Sequence, residues 1–281
     1  KITEGVRWMI FSTTIHGYEG AGRGFSIRFL KRLESCEDVE IEKIHMNEPI
    51  RYGRGDPIEK WLYDVLLLDS QPAEIEKKDV RDIEEGKLEI EELNKDKLIE
   101  DERLLREFFG IYVLAHYRNR PSDLVILLDM PNHRAFAVKV NGKVVCSLHI
   151  AVEGKMDDET IKKISKGYKP KGQIIPDLML KHYWDYDFPK YVGMRIVRIA
   201  THPSLMRMGI GSWALKKIVE IAKGEDLDWV GSGFGVSPEL LRFWLRNGFI
   251  PVHITPQRNE VSGEHTVIVL KPLKMHVEEK V

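Results

Sequence analysis

Apolar and polar positions alternate along the chain in two periods, one of about two residues and one of three to four, and their succession outlines the elements. Residues 8–15 (WMIFSTTI) form a nearly continuous apolar and β-branched run, the pattern of a buried parallel strand. A glycine-rich loop follows at residues 17–24. FSIRFLKRL then places Phe25, Phe29, Leu30 and Leu33 on one side of a helix. VEIEKIHM alternates as a strand, and a short helix is expected from about Pro57. Residues 70–96 are dense in charge, with KLEIEELN alternating as a half-exposed strand. The spacing of Leu98, Leu104, Leu105, Phe108, Phe109, Tyr112, Val113 and Ala115 predicts one long helix over residues 97–119, stopped by Pro121. Two strands, HRAFAVKVN and KVVCSLHIAVE, flank Asn141-Gly142, a strong hairpin signal.

In the second half, RIVRIAT reads as a strand that breaks at Thr201-His202-Pro203. After Met206-Arg207-Met208-Gly209-Ile210-Gly211, a helix begins with Ala214, Leu215, Ile218, Val219 and Ala222 as its apolar stripe. A small-residue strand over residues 227–233 precedes a helix capped by Ser237 with Pro238 at its first position, ending before Gly248. FIPVHIT and HTVIVLKPL close as two strands.

The order strand, glycine-containing loop, helix at residues 198–215 carries chemistry. The first turn of a helix holds N–H groups without internal partners, and its dipole favours an anion. Gly209 and Gly211 allow a phosphate to approach the backbone. Two readings compete here, a phosphate-binding loop and a tight strand-to-helix turn. The loop around Arg23 has the same two readings, an Arg meeting a nucleotide phosphate or a plain surface turn. No GxxxxGK[ST] occurs, so the chain holds no complete P-loop. The segment DDETIKKISKGYKPKGQ carries Lys162, Lys163, Lys166, Lys169 and Lys171 with no acid after Thr160. It is either a solvated helix face or a contact for an RNA backbone, with Tyr168 available to stack.

Composition narrows the classes. With 281 residues, 43% hydrophobic and 31% charged, the chain can bury one large core or two modest ones. A formal net charge of −1 gives no global attraction to nucleic acid, so any such surface is local. Only Cys36 and Cys146 occur, in no metal spacing, which fits a reducing cytoplasm and implies neither a disulfide framework nor a metal. No apolar run approaches membrane-spanning length. A chain that opens at Lys1, within a few residues of a strand pattern, reads as a fragment of a longer protein.

The loop at residues 206–212 resembles the Q/R-x-x-G-x-G/A pyrophosphate loop of GNAT N-acetyltransferases, with Met206 in place of the Gln or Arg and Arg207 next to it. More broadly, FSTTIHGYEGAGRGFS, PIRYGRGDPIEKWLYDVLLLD, FFGIYVLAHYRNRPSDLVILLDMPNH, RIATHPSLMRMGIGSWAL, ELLRFWLRNGFIPVHI and SGEHTVIVLKP resemble successive parts of the tRNA(Met) cytidine acetyltransferase family and its eukaryotic RNA cytidine acetyltransferase relatives. The resemblance implies an α/β chain in three parts. Residues 1–75 would be the end of a RecA-like helicase module, 76–96 a charged connector with a small β element, and 97–281 a GNAT domain with a mixed sheet flanked by helices.

The implied activity is transfer of acetyl from acetyl-CoA to the N4 of a cytidine in tRNA. ATP with Mg would be used only by the intact protein, and the oligomeric state is left open. Ile199, Ala200 and Thr201 match the strand edge that pairs with pantetheine. Met206, Arg207, Met208, Gly209, Ile210, Gly211 and Ser212 match the pyrophosphate loop, Glu239 and Arg246 further acetyl-CoA positions, and Arg23 an ATP contact. His116 and Tyr117, after the long helix, are the expected base and acid, with Glu153 a second candidate base and His202 a structural residue of the turn. Two other readings share parts of the pattern, an acetyltransferase for a protein or small-molecule amine and an inactive RNA-binding or ribosome-assembly scaffold.

Overall fold

The computed structural model describes residues 8–12, 31–34, 36, 40–48, 50–115, 120–259 and 263–280. Before residue 50 the described chain shows only one helical turn, Lys31–Glu34. Residues 8–12 and 40–46, expected within strands, carry no strand pairing. Helix α1 (Pro57–Val65) begins where expected, with Asp56 accepting from Ile58 N and Glu59 N as its N-cap. Helix α2 (Lys77–Glu84) follows, and β1 (Glu89–Leu93) is the strand read in KLEIEELN.

The long helix expected over residues 97–119 is broken. Helices α3 (Lys95–Glu100) and α4 (Glu102–Tyr112) meet at Asp101, which leaves the helical region (φ −95°, ψ 86°) and accepts from Leu104 N to cap α4. A capping carboxylate in mid-pattern competes with helix continuation. Pro121 does not merely end a helix; it opens α5 (Pro121–Asp129), an element the sequence reading lacked. Then come β2 (His133–Val140), β3 (Lys143–Glu153), α6 (Asp158–Ser165), a further helix α7 (Ile174–Tyr183), β4 (Gly193–Thr201), α8 (Ile210–Gly224), β5 (Trp229–Gly235), α9 (Pro238–Arg246), β6 (Ile250–Arg258) and β7 (His265–Pro272).

Among the described residues, seven strands form one sheet in the order β1-β2-β3-β4-β5-β7-β6, antiparallel except for β4 beside β5. The β2–β3 hairpin turns on Asn141 (φ 49°) and Gly142 (φ 74°), the left-handed pair that a two-residue loop requires. Asn141 and Lys143 also donate to Asp79, fastening α2 across the hairpin.

One sheet face is covered by α2, α8 and α9, through Ile83, Ile210, Ala214, Leu215, Ile218, Ala222 and Trp244. The other face is covered in two separate groups. Helices α3, α4 and α5 pack over the β2–β4 half through Leu98, Phe108, Phe109 and Leu127. Helix α7 packs over the β5–β7 half through Ile175 and Met179 against Trp229, Ile268 and Leu270.

Candidate acyl-transfer site

The pairing of β4 with β5 runs only from Gly193↔Trp229 to Ile196↔Ser232, although β4 continues to Thr201 and β5 to Gly235. Ser232 Oγ donates to Ile196 O (2.9 Å) at the last pair. One residue later β4 bulges: His149 faces Arg198 and Ile150 faces Ile196, so Val197 has no counterpart on β3. A bulge bends its strand and increases the local twist, and here it stands where the two parallel strands part. Beyond it Ile199, Ala200 and Thr201 stay paired with Leu148, Ser147 and Cys146 on β3, leaving their β5-facing edge unpaired among the described residues. An extended, amide-bearing chain could add to that edge as a strand would.

The strand delivers the chain to the loop through a tight turn, Pro203–Leu205, that His202 organises. His202 Nδ1 accepts from Ser204 N (3.2 Å) and is 2.9 Å from Ser204 Oγ, while Nε2 lies 2.8 Å from Ala73 O. Burial pushes its pKa below the ordinary value, and the bond to Ala73 opposes this. The expectation that His202 holds the turn agrees with this geometry. It also ties the turn to the segment entering from α1, which crosses α4 where Gly110 has no Cβ to strike the Gln71–Pro72 backbone. Arg106 of α4 holds the same region, bonding to Asp69 (2.7 Å) and Asp64 (3.0 Å).

Next, Arg207 (φ 69°) and Gly209 (φ 81°) both adopt the left-handed conformation and curl the backbone around the start of α8. Trp213 N→Gly209 O is the first helical bond of α8. Among the described residues the N–H groups of Gly209, Ile210, Gly211 and Ser212 meet no protein acceptor, and no side chain caps the helix. Amides converging on one point at a helix N-terminus are an anion cradle. A Cβ at Gly211 would lie 3.5 Å from the Phe243 ring and 3.6 Å from Thr201 Oγ1, so that position borders both α9 and the end of β4. Asn247 Nδ2 donates to Ser212 Oγ (3.1 Å), joining the end of α9 to the cradle, a link the sequence reading missed. Met206, at the position of the expected Gln or Arg, is exposed, and Glu239 and Arg246 are exposed on α9.

Between the two helical groups of the opposite face runs a row of buried polar side chains, His133, His149, Glu153, Arg195 and Arg198. Tyr112 Oη lies 3.0 Å from His149 Nδ1, and His149 Nε2 lies 2.6 Å from His133 Nδ1. With both imidazoles neutral, each contact needs one proton, so the chain satisfies itself with its protons pointing in either direction. Burial pushes His149 down to about 2, helped by His133, Arg198, Arg195 and Lys95. Burial, then Arg195 and Lys95, push His133 down to about 4. Arg198 stacks on the Tyr112 ring at 4.5 Å and bonds to Asp123 of α5 (2.6 Å).

Glu153, expected as a second candidate base, is a buried and fully bonded carboxylate in this structure. It accepts from Arg195 Nε (2.5 Å) and caps α7 by accepting from Ile175 N (3.0 Å). With both oxygens engaged it holds three elements together. His116 and Tyr117, and likewise Arg23, lie outside the described residues. The His149 contact anchors Tyr112 at the end of α4, just before the turn Val113–Ala115. Lys162 and Lys163 lie on α6, and Lys166, Lys169 and Lys171 between α6 and α7, all exposed.

The bulged, splayed central pair and the uncapped helix at its mouth lie within the residues that a known family matches. The family model "GNAT acetyltransferase 2" matches residues 107–226 and 219–274.

The chain belongs to the GNAT acetyltransferase 2 family.

The model for the helicase domain of RNA cytidine acetyltransferase NAT10/TcmA matches residues 1–69, the region resembling a helicase module. The tRNA(Met) cytidine acetyltransferase TmcA of Methanopyrus kandleri is 53% identical over 275 residues, covering 96% of this chain and 32% of its own. That of Pyrococcus furiosus is 54% identical over 273 residues, covering 96% and 33%. TmcA 2 of Saccharolobus solfataricus is 42% identical over 262 residues, covering 93% and 33%. The chain thus spans about a third of the length of the curated relatives it matches. Among the described residues no helix is long and apolar enough to cross a membrane.

Proposed function

We propose that this chain is the acyl-transfer part of an enzyme that moves acetyl from acetyl-CoA to the N4 of a cytidine in tRNA. The observation that carries the cofactor is the alignment of the unpaired β4 edge with the amide cradle at α8. The free amides and the missing Cβ at Gly209 and Gly211 fit a pyrophosphate followed by an extended pantetheine. Acetyl-CoA, when bound, supplies the acetyl group as a thioester. In this reading Met206 to Ser212 hold the pyrophosphate, Ile199, Ala200 and Thr201 pair with the pantetheine amides, and Glu239 and Arg246 contact the cofactor from α9. The choice of cytidine follows the relatives' names together with their identity over nearly the whole chain.

Cytidine N4 is neutral at pH 7, but its lone pair is delocalised into the ring, so orientation against the carbonyl carbon supplies most of the rate. Amide N–H groups of β4 beside the bulge stabilise the developing oxyanion. His116 takes the proton that N4 loses as its new bond forms, and Tyr117 protonates the departing thiolate. Tyr112, at the end of α4, is held by His149 and Arg198. The domains follow suit: residues 1–75 close a RecA-like module that uses ATP with Mg in the intact protein, Arg23 contacts that ATP, and the GNAT part follows the charged connector. Lys162, Lys163, Lys166, Lys169 and Lys171 contact the RNA backbone. A cytoplasmic location accords with two free thiols, Cys36 and Cys146.

The test is to incubate the intact protein with labelled acetyl-CoA and either tRNA or protein and to analyse nucleosides by mass spectrometry. N4-acetylcytidine in tRNA is expected; label in protein alone would overturn the substrate. Near-normal single-turnover rates in His116→Ala and Tyr117→Phe would reject their roles.

A further inference from the structure

Strands β3 and β4 are antiparallel neighbours, a pair that a two-residue turn can join. The chain instead places residues 154–192 between them, building α6 and α7. Their inner faces are apolar, with Ile161, Ile164 and Leu180 packed together and α7 seated on the sheet. Glu153 fixes the start of α7, and a Cβ on Gly231 of β5 would lie 2.7 Å from Ile175 Cδ1. The insertion is therefore rigidly mounted beside the splay.

Its outer side has two features that packing does not account for. Lys163 pairs with Glu159, but Lys162, Lys166, Lys169 and Lys171 make no ion pair among the described residues. Trp184, directly after α7, stands in the left-handed region (φ 56°) and is 70% exposed, and Tyr186 is 46% exposed. Together with Ile164, Ser165, Leu180 and Lys181 these two residues line a small open cleft of about 80 Å³. A bulky residue rarely adopts φ > 0, and here the conformation yields an indole presented to solvent beside uncompensated positive charge.

We propose that the α6–α7 insertion is a docking surface for unpaired RNA nucleotides, with Trp184 and Tyr186 stacking on bases and Lys162, Lys166, Lys169 and Lys171 facing the phosphates. This rests on the reading of RNA as the substrate. Basic grooves interleaved with aromatic rings bind single strands because every base offers a π-face, whereas the bases of an A-form duplex are already stacked. Helix α7 spans about 15 Å from Ile175, beside β5, to the cleft. Nucleotides seated there belong to the strand flanking the acceptor cytidine.

The test uses the intact protein and a fluorescent oligouridylate, with an RNA duplex of the same length as comparison. Asn tolerates the left-handed backbone, so Trp184→Asn with Tyr186→Ala removes the rings without imposing strain. We expect single-strand affinity to fall about tenfold or more. Lys→Ala at the four lysines should lower the slope of log affinity against log salt by about 3. Acetyl-CoA affinity and Tm should not change. Unaltered single-strand affinity, or tighter binding of the duplex, overturns the proposal. Unaltered RNA affinity with a lowered Tm also overturns it, and places another part of the protein on this face. N4-acetylcytidine formation by the unmodified protein, measured in parallel, separates the cases: if none forms, the substrate reading fails; if it forms while the variants bind normally, only the surface fails.

Discussion

Gly211→Glu tests the cradle at α8. Gly211 sits in the first turn of a helix, with no left-handed requirement, and the nearest atoms to a Cβ there would be the Phe243 ring at 3.5 Å and Thr201 Oγ1 at 3.6 Å, ordinary contact distances. A carboxylate in a first helical turn favours the helix by about 0.3–1 kcal/mol, so the fold and Tm should be retained. The side chain, however, puts its own charge beside four backbone amides that meet no protein acceptor among the described residues, the place proposed for the pyrophosphate. At about 4 Å two like charges repel by about 1 kcal/mol in water and about 4 kcal/mol at a partly shielded protein surface. Acetyl-CoA affinity should therefore fall by about fivefold to nearly a thousandfold, before any loss of space is counted. Gly211→Ala, which adds a methyl at tolerable distances and no charge, should stay within a few-fold of the unmodified protein. Calorimetric titration with acetyl-CoA measures both, with circular dichroism confirming the fold. A folded Gly211→Glu protein that binds acetyl-CoA within about threefold of normal would refute the placement of the cofactor.

Three further outcomes follow from the buried polar row and the turn. His133 and His149 are held neutral when folded but protonate near pH 6.5 when unfolded, so their contribution is present above that pH and is lost as pH falls towards about 4. Each depressed His costs about 1.4 kcal/mol per pH unit below 6.5. Denaturant unfolding at pH 5 should thus show about 2–4 kcal/mol less stability than at pH 7, and His149→Gln should flatten that slope; equal slopes in both proteins would contradict a neutral buried pair. Glu153→Gln leaves Arg195 buried without its counter-charge, and breaking such a pair costs about 3–5 kcal/mol. A Tm drop of only a degree or two would show that Arg195 finds water or another partner. His202→Ala removes the bonds to Ala73 O and Ser204, which should destabilise by about 1–3 kcal/mol and weaken acetyl-CoA binding through the loosened turn; normal acetyl-CoA affinity in a destabilised variant would separate the turn from the cradle.

Local signals by themselves determined much of this protein. Asn141-Gly142 specified a hairpin, Ser237-Pro238 started α9 and Gly248 followed its end, because each needs only one or two residues of particular stereochemistry. The glycine turn into α8 was legible for the same reason: strand, glycines and helix N-terminus are contiguous in the chain. The break at Asp101 and the helix starting at Pro121 were local too, but the apolar spacing continues past Asp101 and a proline can end one helix or open the next. Only the tertiary structure decided the rest. Whether Glu153 is a free base or a cap for α7 depends on Arg195, 42 residues away. The relay of Tyr112, His149 and His133 spans two strands and a helix, and a lone His within an apolar strand such as CSLHIAVE was its one sequence trace. The splay of β4 from β5 comes from a bulge that exists only in the register between strands. Contiguous sequence could reveal the anion cradle; the groove leading to it, and the buried charges beside it, depend on long-range pairing that no local pattern encodes.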